Sequence, residues 1–194
     1  SEEELLPPTA KRRVFERIAL SIRSMECVPL DAAIDPWRLA ERCRLKVVDI
    51  NQIEGLSSEA REVLLKDATG AWSGATLVSP LPNGTRLVFL NGNHSRERQA
   101  ATLMEEVCHI ILGHSPSQLT LGAENSRFRS FNATQEKAAF DVGAATLLPF
   151  AGLRHALKRK ITASQIARRF RVSNDLVIYR MKVCRLWDDF KNLV

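Results

Sequence analysis

Thr102-Leu103-Met104-Glu105-Glu106-Val107-Cys108-His109-Ile110-Ile111-Leu112-Gly113 sets two adjacent carboxylates and an imidazole into an otherwise apolar run. Ser95 can cap a helix that begins at Arg96 and runs to about Leu112, where Gly113 ends it. On that helix Glu105 and His109 stand four residues apart and share a face, so both side chains can reach one metal ion. Glu106 lies one step round, placed to hold a water on that metal. This is the spacing of HExxH helices, where the glutamate is the general base, except that the first position here is Glu. Leu103, Met104, Val107, Ile110 and Ile111 predict burial of most of the helix. Buried carboxylates need partners. A metal ion meets that need; pairing with arginines is the other reading.

The flanking segments alternate in type. Helices are expected from Thr9 to about Cys27 and from Asp35-Pro36 to near Cys43, the proline at a first helical position. Leu45 to Ile50 reads as a strand, and Ser57 or Ser58 can cap a short helix to about Lys66. Gly74–Val78 and Thr85–Leu90 form a hairpin, with Pro82-Asn83-Gly84 as its turn because Asn-Gly readily takes positive φ. His114 to Thr134 is polar and reads as a loop beside the site. A small-residue helix follows from Gln135 to Leu147, stopped by Pro149. Three short helices complete the chain, at about 150–158, 162–170 and 174–187.

The 194 residues, 45 % of them apolar, can bury a sizeable core. No run approaches the roughly 18–20 apolar residues of a membrane span. The acidic opening Ser1-Glu2-Glu3-Glu4 does not resemble a secretory signal, so a cytoplasmic protein with no membrane partner is expected. The four cysteines, Cys27, Cys43, Cys108 and Cys184, form no CxxC pair and predict reduced thiols. Net charge is +6, yet Arg154 to Arg185 alone carries +9. So concentrated a basic region suggests an anionic partner.

Four segments together resemble the ImmA/IrrE metallopeptidases. Leu87-Val88-Phe89-Leu90-Asn91 followed by His94-Ser95-Arg96-Glu97-Arg98-Gln99 is similar to that family's strand-loop-helix entry. Thr102 to His114 resembles its active helix, T-x-A-H-E-x-x-H-x-L-L-G-H. Glu136-Lys137-Ala138-Ala139-Phe140-Asp141-Val142-Gly143-Ala144-Ala145-Thr146-Leu147-Leu148-Pro149 resembles its second signature, E-x-x-A-x-x-F-A-A-x-L-L-x-P. The resemblance implies Glu136 as third metal ligand beside Glu105 and His109, with Glu106 as the catalytic carboxylate. It implies a Zn2+-dependent endopeptidase that cleaves a partner helix-turn-helix repressor and relieves repression in phage-related, defence or DNA-damage responses. The departure is Glu105, where the family has His. A Glu/His/Glu set is harder and more anionic, so Mn2+ or Fe2+ competes better with Zn2+. A silent, repressor-binding pseudopeptidase is the alternative. His114, about 140° round the helix from His109, reads as structural or as a support to the ligands. Cys108, on another face, reads as core.

Ile161 to Arg180 has helix-turn-helix rhythm: Ile166, Ala167, Phe170 and Val172 pack the first helix and turn, Ser173 caps the second, and Val177 and Met181 face inward. Arg171 replaces the usual turn glycine. Arg168, Arg169, Arg171, Arg180 and Lys182 are the candidate nucleic-acid contacts, with DNA, single-stranded included, as an activator. A DNA-binding regulator and a basic face that docks a protein substrate are the competing readings. The expected fold is α+β: a zincin-like metallopeptidase domain over 1–149, with a small antiparallel or mixed sheet and an active-site helix, then a helix-turn-helix-like helical module over 150–194.

Overall fold

The apolar periodicities become eight helices and three strands in the computed structural model, counted among the described residues 5–48, 73–76, 80–114 and 132–191. In chain order they are α1 (Ala10–Met25), α2 (Pro36–Arg42), β1 (Leu45–Val48), β2 (Gly74–Thr76), β3 (Arg86–Leu90), α3 (Arg96–Ile111), α4 (Ala133–Leu147), α5 (Phe150–Lys158), α6 (Ala163–Phe170), α7 (Asn174–Val183) and α8 (Trp187–Phe190). The α+β class is as expected. The helix anticipated after Ser57, residues 49–50 of the first strand, 77–78 of the second, and most of the loop before α4 lie outside the described residues. Two compact units form: Pro36–Ala139, and Ser1–Asp35 together with Phe140–Val194. This division of packing falls inside α4 and differs from the 149/150 division read from the sequence.

In the Pro36–Ala139 unit, β3 is the central strand of a mixed sheet ordered β1-β3-β2. It pairs in parallel with β1, from Leu45↔Arg86 to Val48↔Phe89, and antiparallel with β2, from Gly74↔Leu90 to Thr76↔Val88. The expected hairpin turn is present, with Gly84 N–H donating to the Leu81 carbonyl at 2.8 Å. Asn83 does not take the anticipated positive φ; Gly84 does, at 79°, while the Asn83 side chain accepts from Thr85 N–H at 3.0 Å.

Helix α3 packs against α2, β2 and β3. Ser95 caps it as expected, its side chain accepting from Arg98 N–H at 3.3 Å, with Glu97 favouring the positive end of the helix dipole. Leu103, Met104, Val107 and Cys108 have no exposed surface. Ile111, expected inside, is exposed in the last turn. The end of α3 matters for the site. Gly113 sits at φ 67°, which glycine adopts without a Cβ clash. Its N–H bonds the Ile110 carbonyl and His114 N–H bonds the His109 carbonyl at 2.9 Å, a Schellman turn that folds His114 back toward His109.

The other unit has a polar core that apolar patterning does not reveal. Glu16 of α1 is fully buried, accepting from the Phe150 N–H at 2.5 Å and from the Arg180 guanidinium at 2.7 Å. Arg180 also donates to the Leu148 carbonyl at 2.9 Å. Buried Arg23 donates to the carbonyls of Thr146, Pro29 and Ala32. Burial lowers its pKa to about 10, against the raising influence of Asp31 and Glu16. The expected inward positions of the α6–α7 pair, Ile166, Ala167, Phe170, Val172, Val177 and Met181, are all buried. The pair is fixed at both starts: Thr162 and Gln165 form a capping box, and Ser173 accepts from Leu176 N–H at 3.1 Å. The single helix expected over 174–187 is two, because Arg185 at φ 58° ends α7 in a left-handed turn before α8 begins.

Candidate metal centre

Helix geometry places Glu105 and His109 one turn apart on α3, and the first turns of α4 supply Glu136. One ligand atom from each of the three lies within 4.8 Å of the others. His109 Nε2 stands 3.7 Å from Glu136 Oε2, close to the roughly 3.4 Å edge of a tetrahedron with bonds of about 2.1 Å. All three residues are half-buried. The donor set of two carboxylates and one imidazole therefore fits a divalent ion, in spacing and in charge.

Glu106, one step round the helix, is bonded by the β2 side chain Thr76, whose hydroxyl donates to Glu106 Oε2 at 2.6 Å. The His114 Nδ1 lies 3.1 Å from His109 Nδ1, with the rings edge to face at 5.1 Å between centroids. Burial first, and the neighbouring His109 second, lower the His114 pKa, with Glu136 opposing. A largely neutral His114 can accept a proton-bearing Nδ1 of His109 and leave His109 Nε2 free to ligate. Cys108 belongs to the core, as expected, and burial pushes its thiol pKa up, with the Glu105 carboxylate adding to the shift. The candidate metal group among the described residues contains no cysteine.

The five basic candidates diverge. Arg168, Arg171 and Lys182 are exposed. Arg169 is exposed too, but its guanidinium bonds the Asp31 backbone carbonyl at 2.7 Å and the Asp31 carboxylate at 2.6 Å. Arg180 is 1 % exposed and engaged with Glu16 and Leu148, so it offers nothing to a phosphate. The sequence reading of Arg180 is corrected: its inward position follows from the helical phase it shares with Val177 and Met181.

A model of the IrrE N-terminal-like domain, a peptidase family, matches residues 64–182, more than half of the chain. The chain belongs to that family. No curated protein gives a significant match. Among solved structures, a Mycobacterium tuberculosis transcriptional regulator is similar in fold, at 14 % identity and a TM-score of 0.51 over 87 % of this chain. The chain spans 46 % of that protein's length. No helix among the described residues is long and apolar enough to cross a membrane.

For an IrrE-like chain, one feature of the site escapes a sequence reading. Thr76 lies in the expected strand, but nothing in a strand pattern says which helix its hydroxyl meets. The return of His114 onto His109 was legible in principle, since a glycine after the last helical residue signals a left-handed turn that brings the next residue back.

Proposed function

We propose that this chain is a metal-dependent endopeptidase that cuts a partner helix-turn-helix repressor and so relieves repression in a phage-related, defence or DNA-damage response in the cytoplasm. The observation that carries the reading is the convergence of Glu105, His109 and Glu136 beside a separately held Glu106. Zn2+ is the ion proposed, with Mn2+ or Fe2+ favoured by the two carboxylates over what a His/His/Glu set allows. When bound, such an ion supplies Lewis acidity toward the scissile carbonyl and toward water. Glu105, His109 and Glu136 hold it. Glu106 accepts the proton that water loses on attack and returns it to the departing amine. Elemental analysis of purified protein should find about one divalent ion per chain, lost in Glu105→Ala, His109→Ala and Glu136→Ala. Glu106→Gln should retain the ion and lose cleavage, by a factor on the order of a hundred or more. No metal uptake from zinc or manganese solutions would instead support a silent repressor-binding protein. Cleavage by Glu106→Gln at the wild-type rate would remove Glu106 from the mechanism.

A second reading, nucleic-acid contact by the C-terminal helices, is favoured by exposed Arg168, Arg171 and Lys182. DNA, single-stranded included, then acts as an activator of cleavage, or the chain is itself a DNA-binding regulator. Phosphate contacts make affinity fall steeply with salt. A titration of single- and double-stranded DNA at two salt concentrations tests this. Binding absent or insensitive to salt assigns the basic surface to protein docking instead.

A further inference from the structure

We propose that Thr76 is a positioning residue for Glu106: its hydroxyl donates to Oε2 and so orients the carboxylate that takes the proton. The inference rests on the reading of Glu106 as the base, and on the register between strand and helix. Gly74 and Thr76 are alternate residues of β2 and share one face of the strand. Thr102 and Glu106 are four apart on α3 and share one face of the helix. Two strand residues span about 6.6 Å and four helical residues about 6.0 Å, so the two pairs of neighbours stay in step.

Both contacts are present. Thr76 meets Glu106 at 2.6 Å. At Gly74, an added Cβ would stand 2.6 Å from the Thr102 Cγ2 and 3.1 Å from the Phe89 carbonyl oxygen. Only glycine lets β2 approach α3 this closely, and that approach brings the Thr76 hydroxyl within reach of the carboxylate. Pairing with β3 holds the strand there. A β-branched side chain has few χ1 states, so the donor is itself well fixed. Glutamate has three rotatable bonds and loses considerable rotamer freedom when ordered. A hydroxyl donating to an ionised carboxylate is a charge-assisted bond, strong enough to select one rotamer. Because the Thr76 hydroxyl donates to Oε2 throughout, it never has to release its own proton.

Thr76→Val keeps the shape of the side chain and removes the donor; Thr76→Ser keeps the donor and loses a methyl. Two readouts on the full chain separate the inference from the reading beneath it. The first is the side-chain carboxyl 13C resonance of Glu106 without added metal, assigned by its disappearance in Glu106→Gln. It should move in Thr76→Val and return in Thr76→Ser. The second is turnover of the best substrate from a fluorescence-quenched peptide library, with zinc bound. Thr76→Val should lower kcat by about ten- to a hundredfold, the worth of a hydrogen bond to a charged group, at unchanged KM and zinc stoichiometry. Thr76→Ser should recover to within a few-fold. Should Val not be tolerated in the strand, Thr76→Ala against Thr76→Ser makes the same comparison. A resonance that stays in place in Thr76→Val, or a Ser variant no better than Val, overturns the positioning role. A resonance that moves in a chain that cuts no peptide upholds the contact and overturns the peptidase reading instead.

Discussion

Glu16 and Glu105 are both helical glutamates, and the chain uses them in opposite ways. Glu16 is buried with no exposed surface, and both its oxygens are engaged, one by the Phe150 N–H and one by Arg180. Burial is the largest influence on the Arg180 pKa and lowers it, yet the pKa is raised, because the charge and hydrogen bond of Glu16, with Cys184 and Tyr179 adding, together outweigh the loss of water. Glu105 is half-buried and converges with His109 and with a second carboxylate, Glu136. Bringing like charges together is unfavourable unless a cation joins them. One cluster spends its charge on holding helices; the other holds charge ready for a ligand. Half-accessible, convergent groups of the second kind are candidates for sites, while closed pairs of the first kind mark structure.

The largest effect expected from this contrast is on folding. Arg180→Ala strands Glu16 as a buried charge and leaves the Leu148 carbonyl without its donor. The cost should be about 3–5 kcal/mol, read from urea unfolding. Glu16→Gln with Arg180→Met removes both charges, keeps an acceptor for the Phe150 N–H, and should recover most of that loss. A loss below about 1 kcal/mol in Arg180→Ala would mean the pair is no more than a surface salt bridge, and the contrast would fail at its first half.

The candidate metal centre should respond in ligand affinity instead. His114→Ala removes the partner of His109 Nδ1 at the turn after α3. Metal affinity should fall by about ten- to a hundredfold, as for other groups that orient a ligand, with stability of the metal-free chain nearly unchanged. Chelator competition measures the first and thermal unfolding the second. Equal affinity in the two proteins would show that the Schellman turn alone orients His109.

How much of this was legible varies with the kind of signal. The α3 motif, its Ser95 cap and its terminal glycine are local patterns, and the candidate metal set follows from them once the second signature supplies Glu136. Five helix ends were harder. Cys27, Arg44, Lys160, Arg171 and Arg185 all take left-handed conformations that glycine favours. Four of them are basic, which suits the negative end of a helix dipole but gives no glycine to read. The break at Arg185 was missed for that reason, while at Arg171 the expected turn forms without its glycine, at φ 56° and ψ 46°. Glu16, Arg23 and Arg180 were illegible because a charged residue in an amphipathic helix reads as solvated until its buried partner is seen.

The smallest effect expected is a titration, and it probes the closed unit without a substitution. Tyr179 donates to the fully buried Asp141, which also pairs with Arg12 at 2.5 Å. Burial first, then the hydrogen bond and charge of Asp141, raise the tyrosine pKa from 10.0 to about 12, with Arg12 opposing. The folded chain thus holds this proton more tightly than the unfolded chain does. Between about pH 10 and 12 the unfolded state binds fewer protons, so stability is intact below pH 10 and declines as pH rises toward the folded value. Tyr179 is the only tyrosine in the sequence, so phenolate absorbance reports on it alone. The midpoint should lie near 12 in the folded protein. Tyr179→Phe should remove both the absorbance change and its share of the alkaline decline in stability. A midpoint near the ordinary value of 10.0 would place Tyr179 in water and away from Asp141. The polar core of this unit would then be as open as the metal centre, and the difference between the two clusters would be one of composition rather than of burial.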